Sequence, residues 1–165
     1  MVRKILSLGN PKLYETSDTI KTEEIEKIRE VVCDLHDTIV DYQEKYHTGR
    51  AIAAPQIGVL KRLIYMYIDA PIILINPKLE FIGTEEMILF DDCMSFPGLY
   101  VKVRRHRKCK IYYKDMNWHD CEMELTGELS ELLQHECDHL DGILATMRAI
   151  DSKSYYFKEN LTDME

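Results

Sequence analysis

The feature that most constrains the fold is a long apolar stripe early in the chain, which strand-like segments follow. The stripe has seven residues at alternating steps of three and four: Ile25, Ile28, Val32, Leu35, Ile39, Tyr42 and Tyr46. This spacing predicts one amphipathic helix over residues 22–46. Thr22 is a candidate cap for its amino terminus, where Glu23 and Glu24 suit the positive end of the helix dipole.

The middle of the chain is rich in β-branched and aromatic residues, which favour strands. Five such segments span residues 59–68, 72–75, 87–90, 101–103 and 109–113, and a turn at 115–117 leads into a hairpin strand at 118–125. Thr126 is expected to open a second helix over residues 126–141, which Gly142 ends. The order predicts an α+β fold, with mostly antiparallel sheets packed around the C-terminal helix and a long N-terminal helix.

Length and charge limit the classes of function. The 165 residues predict a single domain over the whole chain, residues 1–165. The formal net charge of −8 argues against a general nucleic-acid binder. The basic cluster of residues 104, 105, 107 and 108 does not change this, because a charge cluster in a loop is most often only solvated. Five cysteines with neither a signal-peptide pattern nor a membrane-length apolar run favour reduced thiols in the cytoplasm.

The second predicted helix contains the stretch Q-H-E-C-D-H-L-D-G at residues 134–142. His135 and His139 point only about 40° apart on a helix, so both imidazoles can reach one metal ion. Glu136 points about 100° away from His135 and can take a proton from a water on that ion. Taken alone, the pattern also fits a solvated helix face.

A catalytic ion with two histidine ligands needs a third protein ligand and an open position. The candidate is Cys93 in D-D-C-M-S-F-P-G, residues 91–98, which follows a predicted strand and precedes a Pro-Gly turn. The alternative for Cys93 is a small buried core residue.

A third stretch, G-R-A-I-A-A-P-Q-I-G at residues 49–58, has small residues that let another backbone come close. Pro55 lacks a donor and suits a sheet edge, where a peptide can add as an extra strand. A plain tight strand with a turn is the other interpretation.

The three stretches together, and in this order, resemble the bacterial peptide deformylases. That family carries G-φ-G-φ-A-A-P-Q, E-G-C-φ-S and Q-H-E-x-D-H-φ-x-G, and this chain has G-R-A-I-A-A-P-Q, D-D-C-M-S and Q-H-E-C-D-H-L-D-G. The resemblance extends over almost the whole chain, including an early N-P-x-L segment at residues 10–13.

The resemblance implies hydrolysis of the N-formyl group of formylmethionyl nascent peptides in the cytoplasm, near the ribosomal exit tunnel. It implies one divalent ion, ferrous iron first and zinc, nickel or cobalt as substitutes, held by Cys93, His135 and His139. It also implies Glu136 as general acid and base, with Gln56 and the backbone N–H of Met94 stabilising the oxyanion. Neither a membrane nor a nucleic acid is expected as a partner.

The same resemblance places six residues around the substrate: Gly49, Arg50, Ala51, Asp92, Glu131 and Leu132. Several positions depart from the family pattern. Ala51 replaces a glycine, Arg50 replaces an apolar residue, and Asp91-Asp92 replaces Glu-Gly. The charges of Arg50 and Glu131 are expected to make the methionine pocket more polar and its selectivity flatter. Alternatively, both side chains point to solvent or pair at the rim.

Residues around the ligands complete the expectation. Arg105 is a candidate to pair with Asp91 or Asp138 and hold the ligands in place, although Asp138 also fits a solvated helix residue. Cys137 is expected to face the core.

Two competing functions are a related metallohydrolase with another acylated substrate and a non-catalytic paralogue that binds metal or peptides. Intact Glu136 and Gln56 argue against the second.

Overall fold

The computed structural model describes residues 1–161 and has the expected α+β architecture. Its helices and strands are, in chain order, α1 Ile25–Tyr46, β1 Ala51–Ala53, β2 Leu63–Tyr67, β3 Pro71–Phe81, β4 Glu86–Asp91, β5 Leu99–His106, β6 Lys108–Lys114, β7 Asp120–Thr126, α2 Glu128–Leu140 and β8 Tyr155–Phe157. All strand pairs are antiparallel, in a five-stranded sheet of order β1-β2-β3-β6-β7 and a three-stranded sheet of order β4-β5-β8.

The five-stranded sheet is covered by one helix on each face. Along β2, Leu63 and Tyr65 pack in the core beside α1, whereas Ile64 and Met66 pack in the core beside α2. Successive side chains of a strand point to opposite faces, so a strand buried on both faces is apolar at every position. This arrangement explains why residues 63–66 contain no alternating polar residue.

Helix α1 confirms the predicted long N-terminal helix, although the last residue of the predicted apolar stripe is not buried. Ile28, Leu35 and Ile39 are buried against the sheet, whereas Tyr46 is half exposed. Thr22 does not cap α1, because residues 22–24 form a separate 3-10 turn and Glu24 occupies the position before the helix.

Helix α2 begins later than predicted. Thr126 is the last residue of β7, and Gly127, with φ 62°, turns the chain into the helix. Gly142 ends it as predicted. The N–H of Gly142 donates to the carbonyl of His139, and that of Ile143 donates to Asp138, so the end is a Schellman motif.

We expect Gly142→Ala to destabilise the protein by about 2–4 kcal/mol, because strain and overpacking combine. Gly142 has φ +71°, and an added Cβ would lie 2.6 Å from the carbonyl carbon of Tyr14. Urea unfolding followed by circular dichroism measures the change. Gly83→Ala is the control, since Gly83 has φ +69° with no atom within 4 Å of an added Cβ. Equal losses in both variants would contradict the role of the Tyr14 contact.

The remaining differences lie in strand ends. The strand predicted at 59–68 is confined to β2, and the segment at 72–75 extends to Phe81. The short β8 strand was not predicted. All five cysteines are free thiols, and Cys137 packs in the core as expected. Within residues 1–161, no helix is both long and apolar enough to span a membrane.

Candidate functional site

The fold brings three potential metal-ligand atoms together at one buried point. Cys93 lies two residues after β4 ends, and His135 and His139 lie one turn apart on α2. The Cys93 Sγ is 3.3 Å from Nε2 of His139, which is 3.2 Å from Nε2 of His135. All three side chains are at least nine-tenths buried.

These separations fit a tetrahedral ion. Bonds of about 2.3 Å to sulfur and 2.0–2.1 Å to nitrogen place tetrahedral ligand atoms about 3.3–3.6 Å apart. The observed 3.3 Å and 3.2 Å are close to that range without rearrangement. The sulfur and two imidazole nitrogens therefore suit a divalent transition metal, with a fourth position left for another ligand.

The orientation of His135 is held by a chain of charged groups. Its Nδ1 lies 3.2 Å from Oδ2 of Asp91, which also accepts a 2.6 Å bond from Arg105. The second guanidinium nitrogen of Arg105 donates to Asp138 at 2.6 Å. Arg105 thus pairs with both predicted partners, and the Nε2 of His135 is left facing Cys93 and His139.

Electrostatics keep the Asp91 carboxylate ionised and the His139 imidazole neutral. Burial opposes ionisation of Asp91, but the hydrogen bond and charge of His135, with Arg105, hold its pKa below the usual range. Burial lowers the pKa of His139, so its imidazole is neutral, the form that binds metal. Asp91, Glu131 and His135 form a second group of possible metal ligands. Asp91, however, already pairs with Arg105 and His135 through its Oδ2.

Glu136 is placed to act as a base beside this centre. It lines the same pocket as Cys93 and His135, and its Oε2 has no hydrogen-bond partner among the described residues. Burial raises the pKa of Glu136 to about 7. A carboxyl group with such a pKa can both accept and donate a proton near neutral pH.

Gln56 points its amide nitrogen at the centre. Its Oε1 accepts a 2.9 Å bond from the N–H of Ala53, which fixes the orientation of the amide. Its Nε2 then lies 3.5 Å from the Cys93 sulfur and 3.1 Å from the Ser95 hydroxyl. A fixed N–H donor here suits an oxygen that gains negative charge.

The six residues expected around the substrate all line one pocket with the catalytic candidates: Gly49, Arg50, Ala51, Asp92, Glu131 and Leu132. Met94 also lines it. Ala51 belongs to β1, which lies at the edge of the five-stranded sheet as predicted, whereas Pro55 lies in the 3-10 turn Ala54–Ile57 that follows the strand.

Arg50 and Glu131 form an ion pair beside this pocket. Nη2 of Arg50 donates to Oε2 of Glu131 at 3.2 Å, and Glu131 is buried whereas Arg50 is 38% exposed. The second guanidinium nitrogen is 4.0 Å from the exposed Glu128. Neither charge therefore points simply to solvent, and the pair lies against the pocket wall.

Sequence reasoning missed three contributors to the site. Ser95, two residues after Cys93, accepts a 3.1 Å hydrogen bond from the amide nitrogen of Gln56. Tyr42 lines the pocket, although its place in the α1 stripe indicated only packing. Arg148 donates to Asp138 at 2.9 Å, and no local pattern pointed to it.

The basic cluster at residues 104–108 is largely neutralised. Arg104 and Arg107 pair with Glu86 and Glu85, and Arg105 is buried at the centre.

Comparisons with known proteins agree with this geometry. The Polypeptide deformylase family model matches residues 2–155. Peptide deformylase 1 of Prochlorococcus marinus (strain MIT 9313) is 38% identical over 174 residues, which cover 97% of this chain and 87% of that protein. The crystal structure of peptide deformylase from Thermotoga maritima matches with a TM-score of 0.83 at 28% identity, covering 92% of this chain and 99% of that one.

A peptide deformylase from Synechococcus elongatus, crystallised in complex with actinonin, matches with a TM-score of 0.81 at 29% identity. That match covers 90% of this chain and 79% of the other. The fold, the donor set and a family model that spans most of the sequence lead to one assignment. The chain belongs to the polypeptide deformylase family.

Proposed function

We propose that this chain hydrolyses the N-formyl group of peptides that begin with formylmethionine, releasing formate and a free amino terminus. One observation carries the proposal. The Cys93, His135 and His139 donors converge beside the buried Glu136 carboxylate, in a pocket at the edge of a sheet. Amide hydrolysis needs an activated water, a proton acceptor and a site for a peptide, and this pocket offers residues for each.

Cys93, His135 and His139 are the proposed ligands of one divalent ion. An ion bound by these residues would supply Lewis-acid activation of a water nucleophile near neutral pH. Ferrous iron is the proposed native ion, on the ground of the family resemblance. Zinc, nickel and cobalt accept the same thiolate and imidazole donors, so the residues alone do not select among them.

Glu136 is the proposed general base and acid. It accepts a proton from the attacking water and returns it to the amine nitrogen as the C–N bond breaks. The amide of Gln56 and the backbone N–H of Met94 donate to the formyl oxygen as negative charge develops on it. Asp91 and Arg105 act indirectly, because they hold the His135 ring in the orientation in which it can bind the ion.

The pocket bordered by Arg50 and Glu131 is proposed to take the first side chain, with Gly49, Ala51, Asp92 and Leu132 around it. When Arg50 pairs with Glu131, the aliphatic part of the Arg50 side chain remains as an apolar surface of the pocket. Methionine can lie along that stem, but the loss of part of an apolar wall reduces discrimination. One methylene group in an apolar pocket is worth about 1–3 kcal/mol.

We therefore expect kcat/KM to depend only weakly on the first residue of the peptide in the wild type and more strongly in Arg50→Ile. The measurement is kcat/KM for formyl-Met, formyl-norleucine, formyl-Ala and formyl-Gln peptides. Arg29→Ile is a matched control, since Arg29 lies exposed on α1 and pairs with Glu26. A strong preference for Met and norleucine that is unchanged in Arg50→Ile would mean that the pocket is an ordinary methionine pocket.

The test of the function is formate release from formyl-Met peptides, run beside the same peptides carrying an acetyl group. Release of formate with little acetate supports the deformylase. Faster acetyl hydrolysis would favour a metallohydrolase with a different acyl substrate, and binding without hydrolysis would favour a non-catalytic peptide-binding paralogue. We further propose that residues 1–165 act as one catalytic domain in the cytoplasm, on nascent chains near the ribosomal exit tunnel.

A further inference from the structure

A second cavity opens beside the carboxyl-terminal end of α2, next to an irregularity in β3. We call it the bulge cavity and define it by six of its lining residues: Ser17, Arg62, Pro77, Lys78, Tyr113 and Cys121. Its volume is about 880 Å³, within the range of sites that hold small molecules. Among residues 1–161 it shares no lining residue with the proposed catalytic pocket, and no step of the proposed hydrolysis uses it.

One wall of the bulge cavity is a β-bulge that a side chain holds in place. Two residues of β3, Asn76 and Pro77, lie opposite the single residue Tyr113 of β6. The side chain of Asn76 exchanges two hydrogen bonds with the backbone of Ile20, at 2.9 Å and 2.8 Å. A bulge redirects the side chains beside it, and bulges are over-represented next to active sites.

A further wall is fastened to the end of α2. Nη1 of Arg62 donates to the carbonyl of Leu140 at 3.2 Å and to Asp141 at 2.9 Å. The backbone N–H of Arg62 donates to the carbonyl of Asp18 at 2.9 Å, and that of Ser17 donates to Leu140 at 2.8 Å. Sites for small molecules are usually largely pre-formed, and these bonds pre-form the bulge cavity.

A buried polar group of the bulge cavity lacks a partner. Ser17 is only 4% exposed, and its hydroxyl has no hydrogen-bond partner among residues 1–161. Leaving a buried hydroxyl unpaired costs free energy, so most such groups in folded proteins are paired. A polar atom of a bound molecule would supply the missing partner.

The charged groups of the bulge cavity leave one cation unpaired. Each of its three acidic residues has a cationic partner, in the pairs Asp120–Lys114, Glu122–Lys110 and Asp141–Arg62. Lys78 is exposed and has no acidic partner within residues 1–161. In a chain of net charge −8, an unpaired cation on the wall of a cavity favours an anionic group in the ligand.

The remaining lining offers apolar surface for a planar molecule. Pro77 and the rings of Tyr112 and Tyr113 line the bulge cavity. Tyr112 is 37% exposed, so the protein leaves part of this ring uncovered. Aromatic surface with a few placed polar groups is typical of sites that bind small molecules.

We propose that the bulge cavity binds a small molecule that has a planar apolar body and one anionic group, which lies near Lys78. The body contacts Pro77 and the two tyrosine rings, and a polar atom meets the hydroxyl of Ser17. The inference does not depend on the proposed deformylase function, since the hydrolysis uses none of these residues. It predicts that an aromatic anion shields the free thiol of Cys121, which lines the same cavity.

The probe is 8-anilinonaphthalene-1-sulfonate, added to the purified full chain with its metal bound. The measurement is the alkylation rate of each cysteine by iodoacetamide, followed by peptide mass spectrometry, and the dependence of protection on probe concentration gives the Kd. At about ten times the Kd, alkylation of Cys121 should slow about tenfold, because about one cavity in eleven stays empty. Cys33, an exposed thiol on α1, is the internal control and should react at an unchanged rate.

Two comparisons test the anionic group. N-phenyl-1-naphthylamine carries the same rings without the sulfonate and should protect Cys121 with a Kd about two- to fivefold higher. Lys78→Glu should raise the Kd of the sulfonate by at least the same factor and leave that of the neutral amine unchanged. Lys27→Glu, an equal charge change on exposed α1 surface, should alter neither.

Three results would overturn the proposal. The first is an alkylation rate of Cys121 that the sulfonate does not change. The second is equal slowing at Cys121 and Cys33, which would mean that the probe binds the surface without a site. The third is protection that is equal for the two probes and unchanged in Lys78→Glu, because the cavity would then have no preference for an anion.

Discussion

Glu136→Gln is expected to keep the bound ion and lower kcat by about 10²–10⁴-fold. The amide preserves the shape of the side chain but cannot accept a proton. One group serves both the attack of water and the departure of the amine, so we expect a loss near the upper end. Glu136 is buried with an unpartnered oxygen in the pocket, and removing its charge breaks no ion pair.

The measurement is single-turnover formate release together with metal content per chain. Glu124→Gln is the control, because Glu124 is exposed on β7 at a distance from the pocket and should behave as the wild type. Near-normal turnover of Glu136→Gln with one ion bound would require that another group accepts the proton.

Cys93→Ala is expected to lose the ion, with metal affinity lowered at least about 100-fold. Loss of a residue that only orients a ligand typically costs 10–100-fold, and loss of the thiolate ligand itself should cost more. Two imidazoles alone leave half of a tetrahedral shell without protein ligands. Activity should fall with the metal content.

Inductively coupled plasma mass spectrometry on the purified chain gives the metal content, and circular dichroism checks that the variant is folded. Cys33→Ala is the matched control, since Cys33 is an exposed thiol on α1 and should leave one ion per chain. Full metal retention in a folded Cys93→Ala variant would exclude Cys93 as a ligand.

The helices and the proximity of His135 and His139 could be predicted because their signals are local. The α1 stripe and the His135–His139 spacing depend on 3.6 residues per turn, which tertiary contacts rarely change in a long helix. The contact of Arg50 with Glu131, 81 residues apart, could be anticipated only through the family resemblance. Helix periodicity puts Glu131 one turn before His135, but it carries no information about Arg50.

What could not be predicted depends on long-range packing. Strand β8 has three residues and exists because it pairs with residues 99–101 of β5. Thr22 and Thr126 are good caps by residue type, but a 3-10 turn precedes α1 and β7 extends through Thr126. The position of Tyr42 in the wall of the pocket follows from how α1 crosses the sheet, which its sequence does not encode locally.

The most direct test of the account is metal-dependent formate release. The purified chain is stripped with a chelator under anaerobic conditions, titrated with ferrous iron, and assayed on a formyl-Met peptide. We predict that chelation abolishes formate release and that activity returns in proportion to added iron, saturating at one ion per chain. Undiminished formate release from the metal-free chain would contradict the account.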